Sequence, residues 1–140
     1  MIVYLDTSSL VKLYVEETGS GKIRLLVNEA SLVSTSKIAY AEARAAFAKK
    51  RQEAMFSIKI LRGITEDLNR DWEGYFVLEV TDGLIKAAGD IAGKYLLRGF
   101  DSIHLASAIS LKDRINSEVY FSSHDTRLNQ AARREGIPLL

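Results

Sequence analysis

Hydrophobic and polar positions follow two rhythms along the chain. Ile2 to Leu5 is an unbroken apolar run, too short for a helix, and reads as a buried strand. Phe76 to Val80 and Glu118 to Phe121 read the same way, Ser31 to Ser34 is a weaker candidate strand, and Ile137 to Leu140 is a candidate last strand. Between them the spacing is helical: Ser9 to Glu17, Lys22 to Asn28, Lys37 to Gln52, Ala54 to Trp72, a helix from Thr81 to about Leu97, one opened by Asp101, and one opened by Asp125. Thr35 or Ser36 and Thr81 are candidate helix caps, and Gly19, Gly21, Gly74, Gly99 and Gly136 mark breaks. In the fourth helix Phe56, Ile60, Leu61, Ile64, Leu68 and Trp72 share one stripe, suited to core packing or to a partner.

Strands alternating with helices imply parallel strands joined by crossovers. The expected architecture is an α/β/α sandwich, with four to five parallel strands flanked by helices. There is no repeat and no linker, so residues 1–140 are expected to form a single domain.

The pattern also places acids. Asp6 directly follows the first strand, at the carboxyl edge where open parallel sheets bind ligands, and could equally cap the helix that follows. Asp125 repeats the arrangement after Val119 to Phe121. Asp101 stands at the start of a helix that is apolar nearly all round, again as a cap or as a site residue. Glu42 has Ile38, Ala39, Ala45 and Ala46 as its helical neighbours, which puts a carboxylate on a buried face. Such a group must be ion-paired, protonated or bound to metal.

Composition narrows the chemistry. With no cysteine and two histidines, thiolate sites are excluded and an oxygen-ligand site is favoured. Asp6, Glu42, Asp101 and Asp125 together suit Mg²⁺ or Mn²⁺, with Thr7, Ser8 and Ser123 as supporting hydroxyls. Water activation and phosphodiester hydrolysis are the natural chemistry of such a set. His104 reads as a core or near-site residue, and His124 as a solvated loop residue beside Asp125. The net charge of +1 is not that of a nonspecific nucleic-acid binder, although gathering acids in one site would leave the rest of the surface basic. No apolar run approaches a membrane span and no signal peptide is apparent, so a cytoplasmic protein with no membrane contact is expected.

Four segments carry a resemblance. Val-Tyr-Leu-Asp6-Thr-Ser-Ser-Leu, Ser36-Lys-Ile-Ala-Tyr-Ala-Glu42-Ala-Arg, Arg98-Gly-Phe-Asp101-Ser-Ile-His-Leu-Ala and Phe121-Ser-Ser-His-Asp125-Thr-Arg-Leu-Asn resemble the four acidic motifs of the PIN-domain family, in its VapC-type toxins. The resemblance covers essentially the whole chain. It implies a metal site of Asp6, Glu42, Asp101 and Asp125, and endoribonuclease activity with Mg²⁺ or Mn²⁺ on substrates such as transfer or ribosomal RNA. It also implies a homodimer and a VapB-type antitoxin that blocks the site. Arg44, Lys49, Lys50 and Arg51 are candidates for holding RNA phosphates, or form an ordinary solvated helix end. Competing readings are a metal-dependent DNase or structure-specific nuclease, and a non-catalytic PIN-like binding module.

Overall fold

The computed structural model describes residues 1–53 and 55–140. Ala54, at the expected start of the fourth helix, lies outside the described residues. The elements in chain order are β1 (Ile2–Leu5), α1 (Thr7–Val11), α2 (Ser20–Glu29), β2 (Leu32–Ser36), α3 (Ile38–Gln52), α4 (Ile58–Trp72), β3 (Phe76–Leu78), α5 (Asp82–Tyr95), α6 (Gly99–Arg114), β4 (Val119–Ser122) and α7 (Thr126–Arg134). The four strands pair in parallel in the order β3-β2-β1-β4. The chain lays down β1, β2 and β3 in one direction, then returns to place β4 on the free side of β1. The sheet therefore has a switch point between β1 and β4, the place where open α/β sheets form a crevice at the carboxyl ends of their strands.

Side-chain alternation along β1 divides the core in two. Tyr4 joins Phe121, Leu105, Leu111 and Leu128 on the face covered by α5, α6 and α7. Val3 and Leu5 join Leu10, Phe47 and Leu68 on the face covered by α1, α3 and α4. The stripe of α4 serves this second core except at Ile60, which is exposed: Leu68 is fully buried, and Phe56, Leu61, Ile64 and Trp72 pack against the cluster.

Local boundaries differ from the sequence pattern where tertiary contacts compete. The helix expected over Ser9 to Glu17 stops at Val11. Lys12, Leu13 and Tyr14 donate to carbonyls three residues back, and Tyr14 turns out to reach the hydroxyl of Tyr75 and the carboxylate of Asp71. Neither Thr35 nor Ser36 supplies a proper cap to α3: Thr35 Oγ1 donates to the Leu5 carbonyl at 2.7 Å, and Ser36 Oγ is 3.4 Å from the Ile38 amide. The break after α5 falls at Leu96, in the left-handed region with φ 55°, whereas Gly99 begins α6. Ile137 to Leu140 does not add a strand. It meets β4 through the bridge between Leu139 and Phe121.

Thr81 caps α5 as expected, its Oγ1 accepting from the Leu84 amide at 3.2 Å. Thr81→Ala should cost about 1 kcal/mol, read as a lower denaturant midpoint with unchanged slope.

Candidate active site

β1 ends in Asp6 and β4 leads into the loop carrying Asp125, so two of the four acids flank the switch point directly. The Asp6 amide donates to the Ser122 carbonyl at 3.1 Å, tying the two strand ends together. Ser9 Oγ and Ser122 Oγ add a contact at 2.9 Å, and the His124 amide donates to Ser8 Oγ at 3.0 Å.

Asp6 and Asp125 do cap their helices, but each with one oxygen. Asp6 Oδ1 accepts from the Ser9 amide at 3.0 Å and from Ser8 Oγ at 2.7 Å. Asp125 Oδ1 accepts from the Leu128 amide at 2.8 Å. Asp101 is not a cap. It lies inside the first turn of α6, and its Oδ2 takes the Arg98 Nε–H at 3.0 Å. Arg98 also stands 3.8 Å from Asp125 Oδ2, so one guanidinium spans two of the acids.

Glu42 is held from behind. Thr7 Oγ1 donates to its Oε1 at 2.5 Å, and His104 Nε2 lies 2.9 Å from the same oxygen. His104 Nδ1 in turn lies 2.8 Å from the buried Tyr4 hydroxyl. Burial keeps the Tyr4 phenol protonated, well above its ordinary pKa, so it donates to Nδ1 and leaves the proton on Nε2 for Glu42. His104 is thus the near-site residue that its position in α6 allowed. Burial alone would raise the Glu42 pKa, but the hydrogen bonds from His104 and Thr7, with the positive charge of Arg98, outweigh it and bring the carboxyl below its ordinary range.

A carboxyl whose folded pKa lies below its unfolded value stabilises the fold above the unfolded pKa, and that contribution disappears as the pH falls through the folded value. The destabilisation caused by Glu42→Gln in metal-free protein should therefore be present at about pH 6 and shrink on acidification below the ordinary carboxylate range. Denaturant titrations of both proteins across that range check it.

Ser123 orders the fourth acid: its Oγ accepts from the Asp125 amide at 3.0 Å, and its carbonyl accepts from Asn129 Nδ2 at 2.9 Å. Residue patterning gave no signal for Asn129. Arg98 was readable only as the residue three before Asp101. His124 is exposed, with Nδ1 3.2 Å from Ser9 Oγ. Partial burial, then the charge of Lys12, lower its pKa. The basic residues after Glu42 are largely engaged elsewhere: Lys50 pairs with Glu17 at 2.9 Å, and Arg44 donates to the Tyr40 hydroxyl and sits over its ring. Lys49 and Arg51 are exposed in the last turn of α3, an ordinary place for cations.

Among the described residues, no three Asp, Glu or His side chains stand close enough to form a ready-made ligand cluster. The donor chemistry nevertheless fits a hard cation. Asp6 Oδ2, Glu42 Oε2 and Asp101 Oδ1 have no hydrogen-bond partner among the described residues, while their companion oxygens are anchored. Glu42, Arg98, Phe100 and Asp101 line a cavity of about 400 Å³, with the Phe100 ring exposed at its edge.

Residues 3–134 match the PIN domain family. The chain belongs to the PIN-domain family. It is 33% identical over 139 residues to Ribonuclease VapC45 of Mycobacterium tuberculosis, covering 96% of this chain and 92% of that one. The PIN fold is shared with a toxin–antitoxin complex from Klebsiella pneumoniae, at a TM-score of 0.63 and 15% identity over 89% of this chain and 87% of the other. It is shared too with the sarcin–ricin loop cleaving toxin VapC20 of Mycobacterium tuberculosis, at a TM-score of 0.67 and 18% identity over 92% and 94% of the two chains.

Proposed function

We propose that this PIN domain is the toxin of a toxin–antitoxin pair, an endoribonuclease that uses Mg²⁺ or Mn²⁺. The observation that carries this reading is the set of anchored carboxylates around the β1–β4 switch point, each of Asp6, Glu42 and Asp101 keeping one oxygen without a partner among the described residues. Asp6, Glu42 and Asp101 would hold the cation, and Asp125 would assist directly or through water. When bound, the cation polarises the scissile phosphate and lowers the pKa of an attacking water.

The remaining work belongs to the chain. Ser8 and the Ser9 amide orient Asp6, Ser123 orders the loop of Asp125, and the Tyr4–His104–Thr7 group keeps Glu42 ionised and aimed. A VapB-type antitoxin and a second copy of the chain are the expected protein partners. RNA is the expected substrate, with transfer or ribosomal RNA as the class that the family resemblance implies. Among the described residues, no helix is long and apolar enough to cross a membrane.

The test is cleavage of total cellular RNA by the purified protein with Mg²⁺, with Mn²⁺ and with EDTA, beside single-stranded DNA and flap DNA. Discrete RNA bands that need the metal support the reading. Cleavage of DNA alone, or none of RNA despite metal binding in calorimetry, overturns it.

A further inference from the structure

The chain carries a net charge of only +1, but its cations are not evenly spread. A groove of about 640 Å³ between the end of α5 and the side of α7 is lined by Lys94, Arg127, Arg133 and Arg134, with Leu96 and Gln130 among them and no acid. Lys94 is paired with Glu135 at 3.3 Å, whereas the three arginines are exposed and have no carboxylate partner among the described residues.

The chain runs from the acidic site into both walls of the groove. Leu96 is two residues before Arg98, Arg127 is two residues after Asp125, and the side chains of Arg98 and Asp125 are 3.8 Å apart. From there the groove follows α7. Arg127, Gln130 and Arg134 share one helical face. At 1.5 Å rise per residue, the first and last of them are about 10 Å apart along the axis. Arg133 also borders a second cavity, of about 400 Å³, beside Ser123 and His124 of the Asp125 loop.

We propose that this groove binds the phosphate backbone of the RNA strand on one side of the scissile bond, extending the substrate site about three nucleotides beyond the acids. The proposal rests on the nuclease reading above. An acidic polypeptide would match the charge as well. Proximity to the carboxylates favours the strand being cut, because Arg98 and Asp125 meet at 3.8 Å and a wall of the groove lies within two residues of each. It also reconciles a nearly neutral chain with a polyanionic substrate, since a local row of cations supplies the attraction that the net charge does not.

The test compares Arg127→Gln/Arg134→Gln with Lys59→Gln/Arg62→Gln, which removes the same charge from exposed positions of α4. Binding of a fluorescein-labelled single-stranded oligoribonucleotide of mixed sequence is followed in EDTA across a salt series. Each phosphate contact contributes about 0.7 to the slope of log K against log salt, so the α7 variant should be shallower by about 1.4 and bind roughly tenfold or more weakly at low salt. The α4 variant should match the wild type, and all three should melt alike. Equal losses in both variants, or none in the α7 variant, overturn the groove while the nuclease stands. Polyglutamate binding that depends on Arg127 and Arg134, with RNA binding unaffected, overturns it in favour of a protein partner. A wild type that neither binds nor cuts RNA removes the nuclease reading and the groove together.

Discussion

Asp101→Asn is expected to lower RNA cleavage by more than about 100-fold while the protein remains folded. Groups that only orient metal ligands are typically worth 10–100-fold, and a ligand itself should be worth more. The folding side is undemanding. The Asp101 carboxylate caps no backbone amide, and its partner Arg98 has a side chain 82% exposed, so solvent screens the pair and it adds little to stability. Asparagine keeps the shape and can still accept from Arg98, but it lacks the charge that a hard cation needs. Asp6→Asn should behave in the same way, because asparagine caps a helix about as well as aspartate. Asp6→Ala would confuse lost catalysis with a lost cap. Cleavage of total RNA in Mg²⁺ and in EDTA, with thermal melts of the same samples, checks this. EDTA should reduce the wild type to the level of Asp101→Asn and change the variant little. A folded Asp101→Asn protein with full activity would sink the four-carboxylate site.

Phe121→Ala should destabilise the fold by about 3–5 kcal/mol, the usual cost of emptying a buried aromatic position. That is a large part of the total stability, of order 5–15 kcal/mol, expected of such a domain. Phe121 is fully buried. Its ring stacks on Tyr4 with centroids 5.7 Å apart and planes within 5°, as the parallel register of β1 and β4 requires. Its backbone also holds the C-terminal segment: the amide donates to the Pro138 carbonyl at 2.8 Å and the carbonyl accepts from the Leu140 amide at 3.2 Å. The consequence reaches the site. A cavity beside Tyr4 loosens the hydroxyl that orients His104, and His104 positions Glu42. Denaturant unfolding should show a lower midpoint with little change in slope, and metal affinity should weaken in the protein that remains folded. A loss below about 1 kcal/mol would mean that the Tyr4–Phe121 stack does not hold this end of the sheet.

The acids illustrate what a one-dimensional pattern can carry. Asp6 and Asp125 were legible because each directly follows an apolar strand, and strand ends lie at the sheet edge whatever the strand order. Glu42 was legible because a carboxylate among alanines on a helical face needs a partner. That its partners would be Thr7 and His104 was not legible, since they lie 35 and 62 residues away and meet Glu42 only in the folded chain. Asp101 looked like a cap because it opens an apolar run. The helix in fact starts two residues earlier, and that frees the carboxylate.

By itself, the sequence determined the alternation of strand and helix, the two-sided core, and the positions of three acids at strand and helix ends and of a fourth on a buried helical face. Those depend on local periodicity and on the cost of burying charge, both of which act over a few neighbouring residues. The tertiary structure alone decided that β4 pairs with β1 and so creates the crevice, that Arg98 spans Asp101 and Asp125, that Lys50 and Arg44 are engaged elsewhere, and that the free arginines line up along α7. Strand order and side-chain pairing depend on contacts between segments far apart in the chain, and no local pattern encodes those distances.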